Sequence, residues 1–479
     1  MARPGAMPGS TEQARLPVLV WTYLLLVIIP IGVQVGPLFL TGLRLFLMIM
    51  IIPLLLRLFS GQCGRVYPTD VLFVCHLIWA TLALLVNNPG DVIEQTGSVG
   101  IEFLGGYAIG RALIRTRDHF IALAKVLVVI VFVMMPFAVF ETLTGRPLWI
   151  EALQAIPGVR TVTDARATAR DLFGVTLERV QLGFAHPIHF GLFCAVTFSL
   201  CFVGLKGTVT DIRRWIAGIF LAATACLALS SGAILAIALQ MGLIMWERLF
   251  QGINSRWWWL LGASTFAYVI VDVLSNRTPI EVFMSYATFS AHTAYWRALI
   301  FEWGMVNVWQ HPVFGLGIND WVRPGFMYSD SIDNFWLLNA MRYGIPGFLF
   351  LAAGYLWVLV DVMRLHLETD HALARLRRAF VFTFMGLSFT LFTVHVWTAI
   401  FSFTFFLLGA GVWMLSADQT QAAAPRPPQP RSHHRTFARG LANDQDQGDT
   451  TAHSARRFTR FAHRAETEQC PHQKQITRH

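Results

Sequence analysis

Residues 119–140 read HFIALAKVLVVIVFVMMPFAVF, 22 positions of almost wholly apolar sequence. A helix needs about 20 such residues to cross a hydrocarbon core of about 30 Å, so this stretch reads as a transmembrane span. Eleven others pass the same test: 16–35, 38–59, 70–87, 98–113, 183–204, 213–230, 232–250, 257–275, 335–360, 379–395 and 398–416. Each is expected to be helical, because an unpaired backbone amide in lipid costs several kcal/mol. The predicted fold is all-α, a polytopic integral membrane protein of about 12 transmembrane helices.

Composition points the same way. Of 479 residues, 55% are hydrophobic and 14% charged, where a soluble domain carries roughly 25% charged residues. Mean hydropathy is +0.53. Six cysteines are too few for a disulfide framework. Cys75, Cys194, Cys201 and Cys226 fall inside apolar runs, where cysteine packs as a small hydrophobe. No CxxC pair, HExxH, Walker loop or GxGxxG stands in a usable context, which disfavours zinc, soluble-nucleotide and dinucleotide chemistry.

Basic residues orient the spans. One side holds Arg3, Arg15, Arg57, Arg65, Arg111, Arg115, Arg117, Lys206, Arg213, Arg214, Arg248, Arg256, Arg364, Arg375, Arg377 and Arg378, while the short loops opposite hold none. Both termini are therefore expected in the cytoplasm, with the long loops 141–182 and 276–334 facing outward. Residues 1–15 are expected to be the cytoplasmic N-terminus, leading into an uncleaved first helix because no convincing small-residue cleavage site follows, and 16–416 the membrane domain. Residues 417–479 are rich in Pro, Gln, Ala, His and Arg, with ten basic against six acidic residues. They read as a disordered basic cytoplasmic tail able to lie on anionic headgroups. No aromatic–basic platform supports nucleic-acid binding.

Outward loops of this length are usually functional or disordered. In the second, Trp296, Leu299, Ile300, Trp303 and Val306 recur at helical spacing. Tyr295, Trp296, Trp303 and Trp309 suit the headgroup level. The stripe predicts an interfacial helix over 291–310, with Arg297 and Glu302 off its apolar face. A turn at His311-Pro312 and Phe314-Gly315-Leu316-Gly317 follows, and Asp333-Asn334 stands directly before the next long apolar helix.

HPVFGLGINDW (311–321) and DNFWLLNAMRYGIPGFLF (333–350) resemble the signature region of the O-antigen ligase and polymerase family of bacterial envelope proteins. The stretch RVQLGFAHPIHFG (179–191) is similar to that family's arginine-glycine-proline lead into a middle helix. Leu229-Ser230-Ser231-Gly232 sits where the family often shows Ser-Arg-Gly. The likeness implies a membrane glycosyltransferase of the bacterial inner membrane. Such an enzyme moves glycan from a polyprenyl-diphosphate carrier, such as undecaprenyl diphosphate, to an acceptor hydroxyl at the periplasmic face, with no metal or cofactor. It implies as partners the lipid-linked glycan donor, a glycan or lipid acceptor, membrane lipid and other polysaccharide assembly proteins. The residue chemistry is compatible: guanidinium forks bind diphosphate oxygens, and the acceptor hydroxyl needs a proton acceptor.

Two departures stand out. Asp333 replaces the family's histidine, and Ser231 its arginine. Asp333 is read as a catalytic base or orienting group, or alternatively as a helix N-cap. Arg44, just inside the second span, is a replacement phosphate ligand or a structural partner of Glu102. The catalytic candidates are Asp333 and Arg297; the substrate-binding candidates are Arg179, Arg44, His186, Arg323 and Asn334. For each a plainer role exists: snorkelling for Arg297, interfacial anchoring for Arg179, packing for His186, solvation for Arg323, capping for Asn334. The departures lean the reading toward a polymerase. The alternative is a twelve-helix secondary transporter of a small or anionic solute, although no internal repeat is visible. A non-catalytic envelope scaffold is a third reading.

Overall fold

In a computed structural model, the structure describes residues 15–35, 38–157, 159–161, 169–172, 175–276, 278–279, 282, 291–365, 367 and 370–416. The tail expected over 417–479, and parts of both long loops, lie outside the described residues. The chain is mostly helical, at 72%. The helices are α1 (Val18–Ile28), α2 (Gly42–Phe59), α3 (Pro68–Asn87), α4 (Val92–Gly100), α5 (Gly106–Leu113), α6 (Arg117–Thr144), α7 (Leu148–Gln154), α8 (Pro187–Ser199), α9 (Asp211–Cys226), α10 (Ser231–Leu249), α11 (Arg256–Leu274), α12 (Ala291–Gln310), α13 (Phe335–Arg364), α14 (His371–Leu391) and α15 (Thr398–Gly409).

Among the described residues, eight helices are long and apolar enough to cross a membrane: α2, α3, α6, α8 with its extension to Gly204, α10, α11, α13, and α15 extended to Ser416. This is a multi-pass membrane protein. The other four expected spans are helical in part, but each falls short of the test. The first, expected over 16–35, is an 11-residue helix followed by a strand. The fourth runs from α4 to α5 through a π-helical turn at Ile101–Gly105, α9 has 16 residues, and α14 begins among Arg375, Arg377 and Arg378.

The fold is also not purely α. Strands β1 (Ile31–Val35), β2 (Leu38–Thr41) and β3 (Arg160–Thr161) form an antiparallel sheet in the order β2-β1-β3. Strands β4 (Ala169–Leu172) and β5 (Val175–Glu178) form a second antiparallel pair. The register Val35↔Leu38 leaves two residues, Gly36 and Pro37, between β1 and β2. Apolar, β-branched sequence on either side of a two-residue connection suits a hairpin better than a continued helix.

The decisive local feature is a break in α13. Gly344 has φ 71° and ψ 177°, and Pro346 brings no N–H. In an unbroken helix the carbonyl of Met341 would accept from residue 345, while that of Arg342 would face Pro346 and find no donor. Instead the N–H groups of Leu316 and Gly317 donate to them, at 2.7 and 2.9 Å, and Ile345 N–H donates to Pro312 O at 2.8 Å. The Pro312–Gly317 turn therefore repairs the break. The end of α3 holds the turn in place. Trp79 stacks on Phe314 and donates to Tyr343 O, Asn87 donates to Phe314 O, and Asn88 accepts from Ile318 N–H.

A Cβ at Gly344 would stand 2.1 Å from Val313 O. G344A is expected to cost about 3 kcal/mol, adding left-handed backbone strain to a close carbonyl contact. Thermal unfolding of the purified variant in detergent checks this, and an unchanged midpoint contradicts the repair role.

Candidate functional site

Five connected segments converge on one cavity of about 860 Å³, within the usual size of small-molecule sites. They are the N-terminus of α8, strand β4 with the chain leading to Arg179, helix α12, the 316–342 stretch, and the α14–α15 loop. Its polar lining includes Arg170, Arg179, His186, Arg297, Arg323, Arg342, His395, Asp320, Asp330 and Asp333. Of the sequence candidates, the cavity brings together Arg179, His186, Arg297, Arg323 and Asp333.

Arg297 lies on α12, but not as expected. The apolar stripe does not lie bare. Trp296, Leu299, Ile300 and Trp303 pack on a cluster formed by Trp321, Met327, Ile332, Leu337 and Met341. Asn307, fully buried, fastens the following segment by donating to Val322 O and accepting from Val322 N–H, at 2.8 and 2.9 Å. Covered in this way, Arg297 is only 7% exposed rather than standing free on a polar face. Its Nε and Nη1 have no hydrogen-bond partner among the described residues. Burial lowers its pKa, Asp333 works in the opposite direction, and Arg170 adds to the lowering.

Arg179 is aimed by the main chain. Its Nε donates to Ala228 O at 3.3 Å, and Val180 N–H donates to Leu227 O at 3.2 Å. Buried Glu141, at the end of α6, accepts from Gln181 N–H at 2.8 Å and from Leu182 N–H at 3.3 Å, where Leu182 has φ 48°. Burial, and then the neighbouring Arg170, bring Arg179 down to about 10, which leaves it cationic at neutral pH. Arg170 donates to Leu229 O at 3.0 Å. The Leu229-Ser230-Ser231-Gly232 turn, which carries no arginine of its own, thus receives a guanidinium from β4. Of the two readings weighed for Arg44, the structure shows the pairing: Arg44 Nε donates to Glu102 Oε1 at 2.8 Å, outside the cavity lining, so the replacement of the family's arginine does not fall to Arg44.

Asp333 and Asn334 divide the two roles weighed for Asp333. Asn334 is the N-cap of α13, accepting from Leu337 N–H at 3.0 Å. It is buried and absent from the cavity lining, so its substrate-binding assignment gives way to a capping one. Asp333 therefore has no capping duty. Its Oδ1 accepts from Ser331 Oγ at 3.1 Å, and the residue lines the cavity. Arg323 lines it as well, but is tied to Asp320 and to Met327 O at 3.0 Å, so it braces the 320–327 loop.

Sequence reasoning missed Arg170, Arg342, His395 and Trp397. Arg342 did carry a signal, as an ionisable residue within a long apolar helix. Trp397 is wedged between His395, stacked at 5.6 Å, and His189, edge-on at 4.1 Å. No metal-holding group of three or more His, Cys, Asp or Glu occurs among the described residues. The chain matches no family model and no curated protein.

Because Asn334 is the cap, N334A should lower stability by about 1 kcal/mol and N334D, which caps equally well, should restore the unfolding midpoint. An unchanged midpoint in N334A would return the capping role to Asp333.

Proposed function

We propose that this protein is a glycan transferase of the polymerase or ligase kind, working at the outer face of a bacterial inner membrane on a polyprenyl-diphosphate-linked donor. The observation that carries the reading is the convergence of Arg179, Arg297 and Asp333 in one cavity. A diphosphate has to shed its water and find fixed positive charge. Guanidinium groups supply both the charge and paired N–H donors. A buried guanidinium with unfilled donors, as at Arg297, is preorganised for an anion and reorganises little during reaction.

In the proposed step the acceptor hydroxyl attacks the anomeric carbon while the bond from that carbon to the diphosphate oxygen breaks. The hydroxyl proton passes to the Asp333 carboxylate, and the electron pair leaves with the diphosphate held by Arg179 and Arg297. The lean toward a polymerase rests on Asp333 and Ser231 standing where the resembling family has histidine and arginine. A transporter uses interrupted helices to line a path. Here the break in α13 is closed by the Pro312–Gly317 turn, which favours the enzyme.

R297A should cut transfer by about a hundredfold, the usual effect of removing one charge-stabilising donor, with protein still reaching the membrane. R297K should restore only part, because an ammonium loses the paired geometry. D333N and D333A should both be inactive if the carboxylate accepts the proton. The assay is glycan analysis of a deletion strain complemented by each variant. Single repeat units left on the carrier indicate a polymerase, and full-length chains left on it a ligase. Unaltered glycan in the deletion strain refutes the proposal.

A further inference from the structure

Helix α8 opens with His186-Pro187-Ile188. Pro187 has no N–H, so the first amide needing a partner belongs to Ile188. The His186 imidazole takes it: Nδ1 accepts from Ile188 N–H at 3.2 Å. The backbone of His186 is extended, with φ −157°, and its carbonyl accepts from His189 N–H at 2.9 Å. An amide N–H can only donate, so Nδ1 must hold a lone pair and the ring proton must sit on Nε2. With Nδ1 turned to the helix, Nε2 is the nitrogen left for the cavity that His186 lines.

Resting on the diphosphate reading above, we propose that His186 serves the cavity as a neutral N–H donor through Nε2. Its partner is a phosphoryl oxygen of the bound diphosphate, and proton acceptance falls to Asp333. The charged groups acting on the ring are Arg179, Arg170 and Asp333, with His189 and Trp397 packed beside it at 6.3 and 5.9 Å between ring centres. Burial and then Arg179 hold the imidazole down to about 4, with Asp333 opposing. A second proton would break the bond to Ile188 and set another cation beside two guanidiniums. During transfer the Nε2 proton stays on the ring, donating to the oxygen that gains charge as the anomeric bond breaks.

The test substitutes the donor while keeping the cap. In H186N the shorter amide still caps a helix but withdraws its N–H from the cavity. H186S, also a capping residue, serves if H186N does not purify. The probe is farnesyl diphosphate, titrated into purified full-length protein in detergent at pH 6, 7 and 8. Wild type should bind about tenfold more tightly than H186N, the usual effect of one hydrogen bond to a charged group. That ratio should stay constant with pH, since the ligand's own ionisation cancels in it. Nitrogen-15 spectra of histidine-labelled wild type, read against H186N, should show His186 with Nδ1 bare and Nε2 protonated.

Stability gives an independent reading. The unfolded ring takes a proton near pH 6.5 and the folded ring only near 4. The contribution of His186 is therefore complete above 6.5 and declines as pH falls toward 4, so stability should fall less steeply with acid in H186N than in wild type; His395 on the same cavity, also held low by burial and by Arg342, keeps its share in both. Equal binding by H186N and wild type overturns the donor role. So does a ratio that rises as pH drops through 6.5, or a spectrum with Nδ1 protonated. R297A run alongside separates the cases. If neither R297A nor H186N weakens binding, the diphosphate reading itself fails; if only R297A does, the failure belongs to His186.

Discussion

A helix interrupted inside an apolar bundle exposes main-chain groups that lipid cannot satisfy, and each costs several kcal/mol if left unpaired. The break at Gly344 persists because the Pro312–Gly317 turn answers it bond for bond: two amides to the carbonyls of Met341 and Arg342, and one carbonyl to Ile345. The rest of the site follows from this repair. The turn fixes where α12 ends relative to α13. It brings Leu316 and Gly317 to the cavity wall, and it leaves the first part of α13 free to place Arg342 and Met341 there. A Cβ on Gly315 would stand 2.5 Å from Met341 O, so the glycines of that turn are a condition of the docking.

Among the described residues, some arginines meet carboxylates and others neutral carbonyls. Arg44, Arg111 and Arg214 meet carboxylates: Glu102 at 2.8 Å, Asp70 at 3.5 Å and Asp211 at 2.8 Å. Their charge is largely spent within the protein. Arg111 also donates to the carbonyls of Cys63 and Arg65, which makes it a clasp for the loop before α3. Arg179, by contrast, is oriented by a neutral carbonyl, that of Ala228. A neutral acceptor fixes direction without cancelling charge, so the field of Arg179 stays available to whatever enters the cavity.

Much of this was legible in the sequence, and the failures have physical causes. The apolar runs located the helices. Phe314-Gly315-Leu316-Gly317 marked the turn, but 335–360 was read as one unbroken helix, because Gly344 and Pro346 lie inside an apolar run; Arg179, Arg297 and Asp333, named together as candidates, line one cavity. The stripe on α12 was legible as amphipathic, but periodicity reports only that a face is covered, not whether lipid or protein covers it. Here protein does, and that buries Arg297. The hairpin at 31–41 was read as helix because apolar β-branched residues satisfy a hydropathy window in either conformation. Arg170 carried no local signal. Its relation to the Leu229–Gly232 turn depends on two segments 59 residues apart meeting, which spacing alone does not encode.

The burial of Arg297 joins stability to function. A guanidinium withdrawn from water with Nε and Nη1 unpartnered among the described residues is costly to the fold, because desolvation is incompletely offset. Asp333 offsets part of it electrostatically, yet no ion pair forms between them among the described residues. A full ion pair would fill the Arg297 donors and cancel its charge; here the guanidinium keeps its charge at the wall of the cavity. Asn334 makes this possible: by taking over the helix cap it lets the adjacent carboxylate face the cavity. Two neighbouring residues thus divide the work: Asn334 ends the helix and Asp333 lines the cavity.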